Sequence, residues 1–272
     1  MKKKLCIISL AASCLILLFA CGALRTHRLD WPAMLFEKTV ETVSWHFSSH
    51  HSEVEIRISD YAENHGFTLY DYPESLIRMM ERNPETEDFV LSYPIEHQKK
   101  QIVDLSEYAD CSTVPLLMQW DTRWGYKTYA GELAGLSACG PVCLSMVALY
   151  LTGDTSLTPD YLIDFAEQNG YGVWGQGSSW TLISEGGEKL GFDVTELPLD
   201  EDRIVRNLEV GNPIICVMGP GDFTTTGHFV VLTGYENGAF TVNDPNSFEN
   251  SRKTWTYAQI KDQIDNIWAI RY

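Results

Sequence analysis

The C-terminal part of this chain is predicted to be an α+β domain in which helices come first and an antiparallel sheet follows. Apolar side chains recur at helical spacing in three segments, at 141–151, 160–168 and 179–190. Three short, apolar and β-rich segments come after them, at 213–218, 228–235 and 239–243. Gly238 lies between the last two, where the chain has to reverse. Separate blocks of helices and strands are typical of the α+β class.

The first 24 residues are predicted to be a targeting or anchoring segment. Three lysines at 2–4 precede an uncharged apolar run at 5–24, which is typical of a secretion signal or of a membrane-spanning helix. The sequence Leu-Phe-Ala-Cys at 18–21 resembles a bacterial lipobox, which would make Cys21 a lipidation site. A lipoprotein, an uncleaved anchor and a plain signal peptide stay open. Each of them exports the rest of the chain, and a lipid or an uncleaved anchor would hold it at the outer face of a bacterial cell membrane.

Residues 25–110 are predicted to form a helical extension and connector between that segment and a domain at 111–272. The extension holds six of the seven histidines and a single glycine. Helical spacing is clear over 73–82, and the helix is expected to end at Asn83-Pro84, because a residue that precedes proline disfavours the helical conformation. A further short helix is expected over 85–91.

Composition excludes several classes of function. The 37 acidic and 20 basic residues give a net charge of −17, which argues against a nucleic-acid partner and against docking on anionic lipid through a basic face. The four cysteines that follow the leader are too few for a disulfide scaffold. His46, His50 and His51 lie close together, but without an HExxH pattern a solvated surface is favoured over a metal site. No metal or other cofactor is expected.

Cys139 is the first candidate for chemistry. It stands in Ala138-Cys139-Gly140-Pro141, directly before the apolar helix, and proline favours the first turn of a helix. The unpaired N–H groups and the dipole at a helix N-terminus favour a thiolate. A small buried cysteine that only packs is the alternative.

His228 is the only histidine in the last 160 residues, so cysteine–histidine chemistry in this domain would have to use it. It follows a segment rich in Gly and Thr and opens a strand. It is therefore expected at an end of the sheet, where a loop can reach it. Such a base needs a partner that orients its second ring nitrogen.

Asp244 can orient His228 only if the hairpin between them has a suitable loop. A two-residue turn at Asn237-Gly238 puts Asp244 on the face opposite to His228. A three-residue loop that starts at Glu236 puts both on one face as diagonal neighbours, within about 7–8 Å between Cα atoms. The hypothesis therefore predicts an odd loop length, and a two-residue turn without a bulge would contradict it.

Acyl transfer also requires an oxyanion hole and a surface that binds substrate. The backbone N–H of Cys139 supplies one donor, and Gln119 is the candidate for the second. Aromatic and glycine residues are candidates for the walls of a substrate cleft; those predicted to bind substrate are Trp120, Trp174, Trp180 and Gly227. Tryptophans that simply pack in the core are an equal alternative.

Four short motifs together resemble a known family: Met118-Gln119-Trp120-Asp121, Cys139-Gly140-Pro141, Gly227-His228-Phe229-Val230-Val231 and Asn243-Asp244-Pro245. They are similar to the papain-clan cysteine peptidases, and within these to the bacteriocin-leader-peptidase-like family, numbered thirty-nine among cysteine peptidases. The resemblance covers about 113–272 and implies a papain-like α+β fold. It also implies that Cys139 is the nucleophile and His228 the base. Asp244 would be the orienter and Gln119 the oxyanion donor.

Two features depart from the family pattern. Val142 stands where relatives often carry Thr, outside the four roles. No P-loop pattern is present, so the chain is not expected to be the peptidase domain of a fused exporter ATPase, and processing of double-glycine leaders is in doubt. The predicted function is an exported, membrane-anchored cysteine peptidase that acts on a peptide or protein. A catalytically silent binding module and a thiol-dependent acyl transferase are the alternatives.

Overall fold

The computed structural model describes residues 52–272, and this part of the chain begins with three helices. They are α1 (Glu53–His65), α2 (Glu74–Arg82) and α3 (Glu87–Glu96). The helix predicted over 73–82 is confirmed. The one predicted over 85–91 instead starts as a 3-10 turn and continues to Glu96. None of the helices within 52–272 is long and apolar enough to cross a membrane. The leader, Cys21 and the histidines at 46–51 lie outside the described residues.

Seven further helices follow in the C-terminal part. They are α4 (Ala134–Ser137), α5 (Cys139–Thr152), α6 (Pro159–Gln168), α7 (Gly187–Lys189), α8 (Glu201–Glu209), α9 (Phe248–Arg252) and α10 (Tyr257–Ile260). The segment predicted as a helix over 179–190 forms a π-helical turn at Leu182–Gly186 that runs into α7. Helix α5 is apolar almost throughout, and its residues are buried from Gly140 to Leu149, so it is the central helix of this part.

The described strands form one six-stranded antiparallel sheet and two small ribbons. The ribbons pair β1 (Thr128–Tyr129) with β2 (Glu132–Leu133) and β3 (Gly172–Val173) with β4 (Gly177–Ser178). The sheet contains β5 (Asp193–Glu196), β6 (Ile214–Met218), β7 (His228–Glu236), β8 (Ala239–Asn243), β9 (Thr254–Trp255) and β10 (Ile264–Arg271). Its strand order is β5-β10-β6-β7-β8-β9. The predicted α+β class, with helices ahead of an antiparallel sheet, is confirmed.

Alternation along the central strands gives the sheet two buried faces. Ile215, Val217, Phe229 and Val231 belong to the apolar cluster that contains α5. Cys216, Met218, Val230 and Leu232 belong to a second cluster with α8 and α10. Because side chains alternate between faces along a strand, strand β6 and the stretch of β7 from Phe229 to Leu232 are apolar at every position. The sheet is therefore a rigid support between two layers of helices.

The β7–β8 hairpin differs from the predicted loop length. Tyr235 pairs with Phe240 and Glu236 with Ala239, which leaves only Asn237 and Gly238 in the turn. Both turn residues have positive φ, 54° and 82°, as a type I′ turn requires. The prediction of an odd loop length was wrong. Asn-Gly takes this conformation readily, so the two-residue turn is the favoured one.

A bulge at Thr233 restores the register that the loop does not provide. The pairing shifts between Leu232 and Gly234, so Thr233 is an extra residue in β7. Val231 consequently pairs with Asn243, and the next residue, Asp244, comes onto the face that carries His228. A bulge changes parity by one residue, which has the same effect as the predicted three-residue loop.

The segment at 53–96 packs directly on the C-terminal part, and both belong to one compact unit. Phe89 is buried, and its ring stacks on Tyr126 with centroids 4.4 Å apart. The hydroxyl of Tyr126 donates a hydrogen bond to the carbonyl of Phe89 at 2.6 Å. A Cβ atom at Gly125 or at Gly135 would lie 2.7 Å from the Phe89 ring. The two glycines therefore leave the space that this ring fills.

Replacing Phe89 with Ala should lower the free energy of unfolding by about 3–5 kcal/mol, because the ring leaves a cavity between the two parts. Urea unfolding followed by tryptophan fluorescence should still show a single transition. Tyr70→Ala is the control, since Tyr70 is 96% exposed in the same segment, and it should change the value by no more than about 0.5 kcal/mol. Two separate transitions in the unaltered chain would contradict the packing.

Candidate active site

A cleft of about 830 Å³ brings together three of the four predicted catalytic side chains. Cys139, His228 and Gln119 all line it. The segments 175–178 and 221–227 form part of its wall, and so do residues of α2. Asp244 is not in the lining; it is 1% exposed and lies behind the histidine. The site is thus built from a helix start, a strand start and the loop that follows β8.

Cys139 is the first residue of the buried helix α5, as its motif predicted. Its N–H lies in the first turn, where no intrahelical acceptor is within reach. The helix dipole favours a negative charge at this end. A Cβ atom at Gly140 would lie 2.5 Å from the Ser178 hydroxyl oxygen, so glycine at this position lets strand β4 approach the helix start. Cys139 itself is only partly buried and opens into the cleft.

His228 and Asp244 form a buried, hydrogen-bonded pair. The Nε2 atom of His228 lies 2.7 Å from the Oδ1 atom of Asp244, and the two side chains are 7% and 1% exposed. Asp244 also accepts from the Asn246 backbone N–H at 2.8 Å and from the Asn250 side chain at 2.9 Å. The carboxylate is therefore held by three donors. Since Nε2 bonds to Asp244, Nδ1 is the ring nitrogen left for Cys139.

Both members of the pair have shifted pKa values. Burial by itself lowers the pKa of His228, but the charge and hydrogen bond of Asp244, with a smaller contribution from Cys139, raise it to about 10. Burial raises the pKa of Asp244, while the charge of His228 and the hydrogen bonds outweigh this and lower it. At neutral pH the pair is therefore an imidazolium beside a carboxylate.

Gln119 is buried and fixed at the bottom of the cleft. Its Nε2 atom donates to the carbonyl of Gly135 at 2.8 Å, and its Oε1 atom is buried without a hydrogen-bond partner. The backbone N–H of Gln119 donates to the carbonyl of Pro245 at 2.7 Å. These bonds leave the second Nε2 hydrogen for an oxyanion, and they tie the glutamine to the loop that carries Asp244.

The four residues predicted to bind substrate separate into two groups. Trp180, which is 45% exposed, and Gly227 line the cleft. Trp120 and Trp174 do not line it. The Nε1 atom of Trp120 donates to the carbonyl of Asn246 at 3.2 Å, so this ring supports the loop after Asp244. Trp174 is 83% exposed, and its ring lies against the backbone at Gly131.

Two of the other three cysteines of the domain are core residues. Cys143 and Cys216 are completely buried, and burial raises the pKa of both thiols. Sequence reasoning did not identify the residues that hold Asp244 in place. Asn246 had a local signal, because an Asp two residues before a backbone N–H commonly accepts from it. The contacts made by residues 83–85 with this loop had no signal in the sequence.

The chain is similar to known proteins over its C-terminal part. A model of the Peptidase_C39 like family matches residues 111–272. The peptidase domain of Streptococcus ComA, described as a bi-functional ABC transporter involved in a quorum sensing pathway, is 21% identical, with a TM-score of 0.40 and coverage of 58% of this chain and 96% of that chain. A putative C39-like peptidase from Bacillus anthracis is 16% identical, with a TM-score of 0.36 and coverage of 62% and 97%. No curated protein gives a significant match.

Replacing Asp244 with Asn should lower the pKa of His228 to its ordinary value of about 6.5 or below, since the charge is lost while burial still opposes the imidazolium. In the unaltered chain the raised pKa of His228 contributes stability that is fully present below about pH 6.5, as long as Asp244 stays ionised. That stabilisation is lost as the pH rises through about 10. NMR titration of the histidine ring, assigned with His228→Gln, measures the midpoint.

Asp222→Asn is the matched control, because Asp222 lines the same cleft and its carboxylate accepts from Gln263 instead of His228. In this variant the titration midpoint of the His228 ring should stay close to that of the unaltered chain. An unchanged midpoint in Asp244→Asn would show that this carboxylate does not hold the imidazolium.

Proposed function

This chain belongs to the Peptidase_C39 like family, and we propose that its C-terminal domain is a cysteine peptidase that cleaves a peptide or amide bond of a peptide or protein. The observation that carries the proposal is the 2.7 Å hydrogen bond between buried His228 and Asp244, at the edge of the cleft that Cys139 lines. Removing a charged pair from water costs free energy. A role in acyl transfer explains why such a pair is present here.

In the proposed reaction the thiolate of Cys139 attacks the substrate carbonyl carbon, and the carbonyl π electrons move to oxygen. The oxyanion is stabilised by the Cys139 backbone N–H and by the free Nε2 hydrogen of Gln119. When the tetrahedral intermediate collapses, the C–N bond breaks and His228 gives its proton to the leaving amine. A water molecule then gives its proton to His228 and attacks the thioester, which releases the acid and restores the thiolate.

Asp244 has an electrostatic and a geometric role in this scheme. By bonding to Nε2 it turns Nδ1 towards Cys139 and keeps the ring from rotating. Its charge stabilises the imidazolium that pairs with the thiolate in the resting state. Because the pair is buried, water screens it little, and each charge acts strongly on the other.

The leader sequence supports an exported location for this activity. Three lysines followed by an uncharged run at 5–24 fit a segment that directs the chain into or across a bacterial membrane. The lipobox-like sequence that ends at Cys21 favours lipid attachment there. The peptidase would then be tethered at the outer face of the cell membrane, close to peptide or protein substrates on that side.

Alkylation of the detergent-solubilised full chain with iodoacetamide tests the proposed nucleophile. Cys139 should react selectively, because its sulfur opens into the cleft beside the imidazolium of His228, and a neighbouring positive charge favours attack by sulfur. In His228→Ala that reactivity should fall by about tenfold or more at pH 6, with mass spectrometry to map the modified residue. Cys143 is the internal control, since it is buried one helical turn away. Equal, slow modification of both cysteines would contradict the proposed mechanism.

Replacing Cys21 with Ala separates the kinds of anchor. If Cys21 carries lipid, the substitution should abolish incorporation of a labelled fatty acid and leave the chain uncleaved or released from the membrane. Cys14→Ala, in the same apolar run, is the control and should be labelled like the unaltered chain. A chain that carries no label and stays in the membrane fraction with and without the substitution would instead be held by an uncleaved helix.

A further inference from the structure

We propose that Asn83 and Glu85, which lie outside the matched family region, position the aspartate of the site. The proposal rests on the function proposed above, because it gives the two residues a role in that reaction. The family match begins at residue 111, whereas Asn83 and Glu85 belong to the short connection between α2 and α3. A helical segment that precedes the peptidase domain would then be part of its catalytic apparatus.

Three hydrogen bonds join this connection to the loop that follows Asp244. The Nδ2 atom of Asn83 donates to the carbonyl of Asn246 at 2.6 Å. The carboxylate of Glu85 accepts from the backbone N–H of Phe248 at 2.9 Å and from that of Glu249 at 3.0 Å. Each of the three spans more than 160 residues of sequence. Together they fix both the start of the loop and the first turn of α9.

The same loop supplies the partners of Asp244. Besides His228, its carboxylate accepts from the Asn246 N–H and from the Asn250 side chain. Its backbone N–H donates to the hydroxyl of Ser251 at 2.9 Å. Asn246 is thus held by Asn83 through its carbonyl while its N–H binds the aspartate. A shift of this residue would move the carboxylate away from His228.

The connection also reaches the cleft wall. Asn83 lines the same cleft as Cys139, beside Ser75, Met79 and Arg82 of α2. Asn83 therefore faces the site on one side and supports the aspartate loop on the other. A segment that packed only on a surface remote from the site would not line the cleft. This placement favours a role in the site over a role in folding alone.

Two substitutions that change the charge in opposite directions test the proposal. Asn83→Asp keeps the side-chain oxygen that accepts from the Glu85 N–H at 3.1 Å, but it loses the donor to Asn246 and adds a negative charge. Glu85→Gln keeps one acceptor and removes a negative charge. A through-space effect of charge on His228 would move its pKa in opposite directions in the two variants. If the substitutions instead displace Asp244, the pKa of His228 should fall in both variants.

The readouts are the NMR titration midpoint of the His228 ring and the rate of Cys139 alkylation at pH 6, both in the full chain. In both variants the His228 midpoint should fall by about half to one pH unit, with about three- to tenfold slower modification of Cys139 at pH 6. Glu85→Ala removes both acceptor oxygens, so it should have a larger effect than Glu85→Gln. Glu74→Gln in α2 is the control, because exposed Glu74 pairs with Arg78 on its own helix, and it should match the unaltered chain.

Each other result would overturn the proposal, and the failures can be told apart. Midpoints that equal the unaltered value, or that move in opposite directions, would show that the two residues do not position Asp244. Cys143 becoming reactive together with Cys139 in Asn83→Asp would mean that the contact supports the fold and not the site. If the unaltered chain itself shows no modification of Cys139 that depends on His228, the proposed peptidase function fails first.

Discussion

The buried carboxylate of Asp244 is the constraint on which the other features of the site depend. An ionised group that is removed from water is stable only when nearby donors and an opposite charge replace its hydration. Here the replacements are the His228 ring, one backbone N–H and one amide side chain. The same arrangement raises the pKa of His228. In the proposed mechanism, the chemistry at Cys139 therefore depends on how firmly the fold holds this one aspartate.

The register of the sheet decides whether that carboxylate can reach the histidine at all. Asn237-Gly238 is a favoured two-residue turn, and alone it would put Asp244 on the wrong face. The extra residue at Thr233 corrects this within the same strand that begins with His228. Bulges increase local twist and occur next to active sites. The turn satisfies a local conformational preference, and the bulge brings Asp244 to the face that carries His228.

Much of this site could be predicted because the informative residues are rare and act locally. Cys139 stood out through its place before an apolar helix, and His228 because no other histidine follows residue 97. The bulge at Thr233 could not be predicted, since register depends on which faces are buried in the whole fold. The contacts of Asn83 and Glu85 were missed for a similar reason: 163 residues separate Asn83 from Asn246, and no periodicity extends so far.

The long-range contacts explain how a short helix can help to hold the carboxylate of Asp244. Helix α9 has five residues. A helix of that length is not stable by itself, because fixing the backbone of the first turn costs more free energy than its few hydrogen bonds provide. Ser247 caps it from within the loop, and Glu85 accepts from two of its first N–H groups. The loop around Asp244 is therefore ordered by partners from distant sequence. For that reason the helical segment at 53–96 and the C-terminal domain form one structural unit.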